Sequence, residues 1–341
     1  MTEAFKFWSF LLVLLLISCK KKEIGPQFLN NPIQENFYFD VLVGCEGNFG
    51  TANGSITAFS SSSDSLRNYY FQQQNNFPLG DVVQSISLID GELFIVVNNS
   101  GKVQVVDSLD LSSKYEISGL TSPREIIKIS DSILYISDLY SNAIAVYDKE
   151  NKLLLPAIAV SGWTESMIKI NESVYVCSPS QNLVYKINSN SHQLVDSISV
   201  GPYPYDLVLD KNNMIWVLCS GEYNMNNGTL EKINPSSFNK ETVVDLNASA
   251  SNLCLDGAAA NIYWISNGVN KMNVDQSVSN LIIPSNSSLF YGLGVHPVTN
   301  DIYVADAIDY VQSGKLMIYS NDGSIIKTKT TGINPQAILF K

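Results

Sequence analysis

Short apolar runs alternate with polar turns along the chain, and one unit of this kind recurs over most of its length. The segment LYISDLYSNAIAVYD at 134–148 has two strand-like runs joined by a polar turn, and the segments at 93–107 and 174–188 repeat this pattern. Further copies begin at 215, 262 and 302, and the first copy begins at 41. Alternation of apolar and polar residues, rich in β-branched and aromatic side chains, favours strands. A β-hairpin is therefore predicted at each of seven places.

The spacing of these hairpins indicates how they assemble. Six of them begin at 93, 134, 174, 215, 262 and 302, so the gaps are 41, 40, 41, 47 and 40 residues, whereas the first gap, from 41 to 93, is 52. A period near forty is typical of a propeller blade with four strands. An apolar segment after each hairpin supplies an outer strand, and a turn with Gly, Pro or Ser leads into a short inner strand. The predicted fold is all-β, a seven-bladed β-propeller of four-stranded antiparallel blades.

The two ends of the repeat predict how the ring closes. Inner strands are predicted at 84–89, 124–129, 165–170, 205–210, 251–256, 291–296 and 336–340. The first hairpin has no inner strand before it, and the last inner strand has no hairpin after it, so the last inner strand should close the first blade and remove an open sheet edge. A pair of β-sandwiches is the weaker alternative because the period is kept. Although the length alone suggests two domains, the repeat indicates one propeller at 37–341.

The N-terminal segment differs from the rest of the chain. Residues 1–18 have Lys6 ahead of an apolar run too short to span a bilayer comfortably, which predicts a signal peptide. The sequence Leu16-Ile17-Ser18-Cys19 resembles the lipobox of bacterial lipoproteins, and this resemblance implies lipidation of Cys19. Residues 19–36, with lysines, Gly25 and two prolines, are predicted to form a flexible tether. We expect a lipid-anchored protein of the outer membrane, on the cell surface or the periplasmic face.

Composition and charge narrow the possible partners. Acidic residues outnumber basic ones by 32 to 21, and the net charge of −11 argues against nucleic acid as a partner. The only histidines, His192 and His296, exclude a metal site built from several histidines. The cysteines after Cys19 lie in apolar runs without a CxxC spacing, which favours buried free thiols, although an exported protein can also form disulfides.

One face of the propeller is the predicted binding surface. The connections into the inner strands and the hairpins between the two middle strands of each blade should lie on the same face, which we call the loop face. Aromatic side chains beside carboxylates and amides suit a polar organic ligand with rings. Trp216 and Trp264, within strand-like runs, are instead expected to pack between blades. The candidate ligand-binding residues are Trp163, Tyr203, Tyr205, Tyr140, Tyr223, Phe290, Tyr291, Arg124, Glu165 and Asp206.

Candidate catalytic groups are few. Neither histidine lies in a context that suggests a Ser/His/Asp triad. A calcium site, as in lactonase-type propellers, is an alternative if loop carboxylates converge, namely Glu46, Asp138, Glu165, Asp206 and Asp306. No spacing supports that site strongly. The prediction is a protein without catalytic residues, metal or cofactor.

The repeat resembles a known family. Residues 174–219, above all SISVGPYPYDLVLDKNNMIWVLCS, resemble the YncE-like family of seven-bladed propellers. A lipobox followed by such a propeller is also similar to the lipoproteins that bind cobalamin at the outer membrane and pass it to a TonB-dependent transporter. That resemblance implies capture of a small ligand on the loop face and a transporter as partner. A lactonase-type hydrolase and a protein-binding scaffold or adhesin are the alternatives.

Overall fold

A computed structural model describes residues 37–341. The predicted signal peptide (1–18), Cys19 and the predicted tether (19–36) lie outside the described residues. Within 37–341, no helix has the length and apolar character needed to cross a membrane.

The described residues form 28 strands in seven antiparallel sheets of four, and one short helix, α1, Tyr70–Asn75. Blade 1 consists of β1 Val41–Cys45, β2 Ser55–Ser60, β3 Ser65–Arg67 and the last strand, β28 Pro335–Phe340. Blades 2 to 4 are β4 Val83–Ile89, β5 Glu92–Val97, β6 Lys102–Asp107 and β7 Ser113–Ile117; β8 Pro123–Lys128, β9 Ile133–Asp138, β10 Ala143–Asp148 and β11 Leu153–Ala159; and β12 Met167–Ile170, β13 Ser173–Ser178, β14 Leu183–Asn188 and β15 Gln193–Ser199. Blades 5 to 7 are β16 Pro204–Leu209, β17 Ile215–Cys219, β18 Thr229–Asn234 and β19 Asn239–Asp245; β20 Ser251–Leu255, β21 Asn261–Ile265, β22 Gly268–Asn273 and β23 Ser279–Pro284; and β24 Phe290–Val295, β25 Ile302–Asp306, β26 Ser313–Tyr319 and β27 Ile325–Ile333.

The blades form a closed ring, which confirms the predicted fold class. Neighbouring inner strands contact one another in the order β28, β4, β8, β12, β16, β20, β24 and back to β28. Strand β28 pairs antiparallel with β1, with Val41 opposite Phe340 and Val43 opposite Ile338. The last inner strand therefore closes the first blade, as the sequence predicts. Helix α1 lies in the long first gap and accounts for its extra residues, with Phe71 fully buried.

Apolar side chains hold adjacent blades together. Seven buried clusters lie in the seven spaces between blades, and each contains residues of two neighbouring sheets. Trp216 of blade 5 and Trp264 of blade 6 share one cluster, and each exposes only 1% of its surface. Burial of a large apolar side chain contributes roughly 1.5–3 kcal/mol. The prediction that these tryptophans pack between blades is confirmed.

The four cysteines after Cys19 are free thiols within the sheets. Cys45, Cys177 and Cys219 are fully buried, and Cys254 is half-buried. Burial is the main cause that raises the pKa of Cys45 to about 11, so this thiol stays protonated and unreactive at neutral pH. The interpretation as buried free thiols is confirmed for Cys45, Cys177 and Cys219, whereas Cys254 is a free thiol that is only half-buried.

Candidate functional site

A bulge occurs where several inner strands begin, and blade 5 shows its geometry. Pro204 pairs with Cys219 and Asp206 pairs with Leu218, so Tyr205 between them has no partner in the ladder. An extra residue of this kind bends the strand and redirects its side chain. Tyr205 thereby points to the axis of the ring, where it lines a cavity.

The same shift recurs around the ring. The pairing slips at Gln84 in blade 2, at Tyr291 in blade 7 and at Gln336 in blade 1, and a longer irregularity includes Arg124 in blade 3. All of these residues line the same cavity as Tyr205. A repeated feature of the backbone therefore presents polar and aromatic side chains from five blades to one space.

This space, the central cavity, has a volume of about 470 Å³ and opens on the loop face. Both sets of loops contribute to it. The connections into the inner strands supply most of the wall, and the middle hairpins add residues of blades 1, 2 and 5. Its polar and aromatic lining includes Glu46, Phe49, Gln84, Asn98, Arg124, Glu125, Glu165, Tyr205, Asp206, Asn252, Tyr291, Asn334 and Gln336.

One ion pair lies in the cavity wall. Nε of Arg124 lies 2.8 Å from both carboxylate oxygens of Glu165, and Nη1 of Arg124 donates to Oε1 of Gln84. Both charged side chains are largely buried. Burial raises the pKa of Glu165 to about 7, against the opposing effect of Arg124. Burial disfavours the charge of Arg124, but the attraction of Glu165 outweighs it, so the pKa of the guanidinium is raised.

Three further carboxyl groups face the same cavity. Burial raises the pKa of Glu46 to about 7, although the hydroxyl of Tyr291 donates to both of its oxygens at 3.1 Å. The pKa of Glu125 is raised to about 8 by burial and then by the charges of Asp206 and Glu165. Burial also raises the pKa of Asp206, which accepts a hydrogen bond from the backbone N–H of Leu253 at 3.0 Å. The cavity therefore holds four carboxyl groups and one guanidinium.

Aromatic rings flank this polar wall. The ring of Trp163 lies 5.9 Å from that of Tyr205 and 6.5 Å from that of Tyr203, measured between centroids. On the opposite part of the ring, Tyr291 and Tyr310 meet edge to face at 5.2 Å. Trp163 therefore supports Tyr205 from outside the cavity and itself packs against Tyr203, and Tyr310 supports Tyr291 in the same way.

The sequence candidates occupy four kinds of position, and Trp163 and Tyr203, beside Tyr205 but outside the cavity wall, represent the first. Arg124, Glu165, Tyr205, Asp206 and Tyr291 line the central cavity together. Tyr140 and Tyr223 stand exposed on hairpins of the loop face, where Tyr223 exposes 90% of its surface. Phe290 exposes 9% and belongs to the apolar cluster between blades 6 and 7, away from the cavity wall.

The carboxylates considered as a calcium site do not all meet. Asp138 accepts hydrogen bonds from the backbone N–H groups of Ser122, Tyr140 and Ser141, so it stabilises the loops around it. Asp306 does the same for Leu289 and Ile308. Within the described part of the chain, no group of three or more His, Cys, Asp or Glu side chains has an arrangement that could hold a metal ion.

Gln84, Glu125 and Asn334 line the cavity but are missing from the sequence candidates. A signal for Glu125 exists, since it stands two residues after Pro123, just as the candidate Asp206 stands two residues after Pro204. A ring brings equivalent positions of its inner strands to one place, so the candidate Asp206 predicts Glu125 as a further residue of the cavity.

Comparison with known proteins places the chain among propellers. A family described as "Domain of unknown function (DUF5074)" matches residues 41–333. No curated protein matches the chain.

Several solved structures share the fold at low sequence identity. A quinonprotein alcohol dehydrogenase-like protein from Bacteroides thetaiotaomicron is 16% identical, with a TM-score of 0.73 over 90% of this chain and 79% of that one. A functionally unknown protein from Desulfotomaculum acetoxidans is 11% identical, with a TM-score of 0.71 over 89% and 98%. Virginiamycin B lyase from Staphylococcus aureus is 14% identical, with a TM-score of 0.61 over 76% and 88%. At these identities the likeness extends to the fold alone.

Proposed function

The chain belongs to the DUF5074 family, and from this premise we propose that its propeller binds a small polar organic ligand in the central cavity and releases it unchanged. The observation that carries the proposal is the repeated bulge, which directs Gln84, Arg124, Tyr205, Tyr291 and Gln336 into one space. Bulges interrupt a ladder of hydrogen bonds, and they are frequent beside functional sites. A volume of about 470 Å³ lies within the usual range for small-molecule sites, about 300–1,000 Å³.

The aromatic residues above the cavity extend the site. Phe49, on the middle hairpin of blade 1 at the cavity, and Tyr223, on the middle hairpin of blade 5, expose 78% and 90% of their surfaces. Exposed aromatic faces at a cavity entrance suit a flat or ring-containing group that remains outside while a polar substituent enters. We therefore propose a ligand larger than the central cavity, with a polar group inside the cavity and a ring against the exposed aromatic residues above it.

A corrinoid is our specific candidate. Its broad ring suits the exposed aromatic residues, and its peripheral amide groups suit the carboxylates below. Together with the predicted lipidation of Cys19, this leads us to propose a lipid-anchored protein that captures the ligand for a TonB-dependent transporter at the outer membrane. A calcium-dependent lactonase receives less support, because Asp138 and Asp306 are engaged by loop backbone.

Calorimetric titration of the purified protein with cyanocobalamin tests this proposal. We expect binding heat, and a loss of affinity of about tenfold or more when Phe49 and Tyr223 are both replaced by alanine, because ring contacts at such sites contribute about 0.5–1.5 kcal/mol each. Leu109→Ala is the matched control, since Leu109 is also an exposed apolar residue but lies in the turn between β6 and β7, away from the loop face. If titration gives no heat, and the protein retains no red colour of cyanocobalamin after unbound compound is removed, the corrinoid is eliminated.

A further inference from the structure

We propose that the group entering the central cavity is an organic cation, an ammonium or guanidinium whose N–H donors pair with acceptors of the wall. This inference rests on the general part of the proposed function, a small polar organic ligand in the central cavity, and it names a different ligand class from the corrinoid, which carries no ammonium or guanidinium. It follows from an excess of carboxyl groups over the single guanidinium, from two unpartnered amide oxygens and from the distribution of charge.

The single cation of the wall is already paired. Arg124 uses Nε on Glu165 and Nη1 on Gln84, and the Tyr291 hydroxyl donates to Glu46. The amide nitrogen of Asn98 donates to the backbone oxygen of Pro123 at 3.0 Å. The wall therefore carries four carboxyl groups against one guanidinium, and a ligand that brings its own N–H donors finds carboxylate oxygens.

Two amide oxygens supply an observation independent of the acids. Asn334 exposes 7% of its surface, and its Nδ2 donates to the backbone oxygen of Gly47 at 2.8 Å, which fixes the orientation of the amide. Its Oδ1 is buried without a hydrogen-bond partner, and so is Oε1 of Gln336. Both residues line the cavity. Buried acceptors without partners are rare in folded proteins, so these two mark a part of the wall that lacks hydrogen-bond donors. A ligand donor would reach them after a small rotation of the amide side chains.

The acceptors are distributed around the ring. Glu46, Asn334 and Gln336 lie in or beside blade 1, whereas Glu125 belongs to blade 3 and Asp206 to blade 5. A single metal ion needs its ligands within one coordination shell, and no such group occurs in residues 37–341. A carbon chain or ring that carries more than one N–H donor spans separated acceptors. The phenol rings of Tyr205 and Tyr291 add faces that attract cations.

Protons compete with such a ligand. The titratable groups around the cavity are Glu46, Arg124, Glu125, Glu165, Tyr205, Asp206 and Tyr291, and the thiols of Cys177 and Cys254 lie behind Asp206. The pKa values of Glu46 and Glu165 are about 7 and that of Glu125 is about 8, so these carboxyl groups exchange protons around neutral pH. A cation stabilises their ionised forms, and its binding therefore releases protons.

Putrescine and its neutral isostere 1,4-butanediol distinguish charge from shape. By calorimetry in about 0.15 M salt we expect putrescine to bind at least about tenfold more tightly than the diol at pH 8. Its affinity should fall about tenfold or more between pH 8 and pH 6, because the diamine keeps its charge over that range while the wall carboxylates become protonated. The heat near pH 7 should also depend on the ionisation enthalpy of the buffer, which measures the released protons.

Glu46→Gln and Glu125→Gln should each weaken putrescine binding by several-fold and reduce its pH dependence, because a glutamine resembles the protonated glutamate. Glu222→Gln is the matched control, an exposed acid on the loop face outside the cavity wall, and should change neither quantity. Thermal melting of each variant shows that the ring is intact.

Each other outcome has a definite meaning. Equal affinity for the diol, or binding of cyanocobalamin without any binding of putrescine, would overturn the cation while leaving the cavity as a binding site. Failure of all three compounds to bind would contradict the proposed function as well.

Discussion

The spaces between the blades are filled by apolar side chains, whereas the central cavity is lined mainly by polar and charged ones. Seven apolar clusters fill the former, and the cluster of Trp216 and Trp264 is buried from solvent almost entirely. The central cavity holds four carboxyl groups and Arg124 instead, and its strands are interrupted by bulges. The first arrangement stabilises the ring, whereas the second carries buried charge that disfavours folding unless it is paired.

This contrast separates stability from recognition. A closed ring with seven apolar interfaces tolerates a polar and imperfectly bonded centre, because the centre contributes little to holding the blades together. Buried acceptors without partners, such as Oδ1 of Asn334, cost stability in the free protein, and the proposed ligand would offset this cost. Substitutions between the blades should therefore change mainly the free energy of unfolding, whereas substitutions in the central cavity should also change ligand affinity.

The largest effect on stability is expected in an inter-blade cluster. Trp264→Ala removes a fully buried indole and leaves a cavity between blades 5 and 6, which should lower the free energy of unfolding by about 3–5 kcal/mol. Urea denaturation followed by circular dichroism measures this change. Ligand affinity of the folded fraction should stay the same. A loss of affinity equal to the loss of stability would show that the two regions are not separate.

A smaller effect that depends on pH is expected at the ion pair. Arg124→Gln leaves Glu165 buried without its cation, which should lower the free energy of unfolding by about 2–3 kcal/mol at pH 8. Without the guanidinium the folded-state pKa of Glu165 rises further above its unfolded value, so this carboxyl binds its proton more readily when folded. The stability of Arg124→Gln therefore falls as pH rises from about 6 to about 8. At pH 6 the variant should be only about 1 kcal/mol less stable than the wild type.

The paired variant Arg124→Gln/Glu165→Gln is the control, because it removes both charges. It should recover most of the lost stability at pH 8, as measured by urea denaturation. An equal cost at both pH values would mean that the pair acts through packing and not through charge.

The sequence predicts the ring well because the fold follows from a period. The spacing near forty residues requires blades, and the orphan hairpin at 41 requires closure by the strand at 336–340. Inner strands are predicted to within about two residues, for example 205–210 against Pro204–Leu209, and 165–170 against Met167–Ile170. Apolar alternation is local information, and it suffices for these features.

The central cavity is harder to predict because it depends on pairing between strands. Phe290 and Tyr291 are adjacent and both aromatic, yet the first packs between blades and the second lines the cavity, since successive side chains of a strand point in opposite directions. A bulge depends on the pairing of two strands, and only a proline before it, as at Pro123 and Pro204, marks it in the sequence. The approach of Glu125 to Glu165 and Asp206 likewise needs three blades to be in place.

The smallest expected change in stability is at Glu125, where a substitution in the central cavity should stabilise the protein and not destabilise it. Glu125 has its pKa raised to about 8, above its unfolded value, so the folded state holds a proton that the unfolded state has already lost. Wild-type stability therefore falls as pH rises from about 5 to about 8. Glu125→Gln cannot ionise, and its amide oxygen can still accept the hydrogen bond from the backbone N–H of Met167 at 3.3 Å.

We expect the stability of Glu125→Gln relative to the wild type to rise by at least about 1 kcal/mol between pH 5 and pH 8. Urea denaturation at both pH values measures the difference, and Glu222→Gln, whose carboxyl is exposed, should show none. Greater stability of the variant together with weaker putrescine binding would mean that Glu125 is kept in the wall for recognition and at the expense of folding. If the variant were less stable at pH 8, Glu125 would contribute to the ring in the same sense as Trp264, and the division between apolar interfaces and polar centre would fail at this residue.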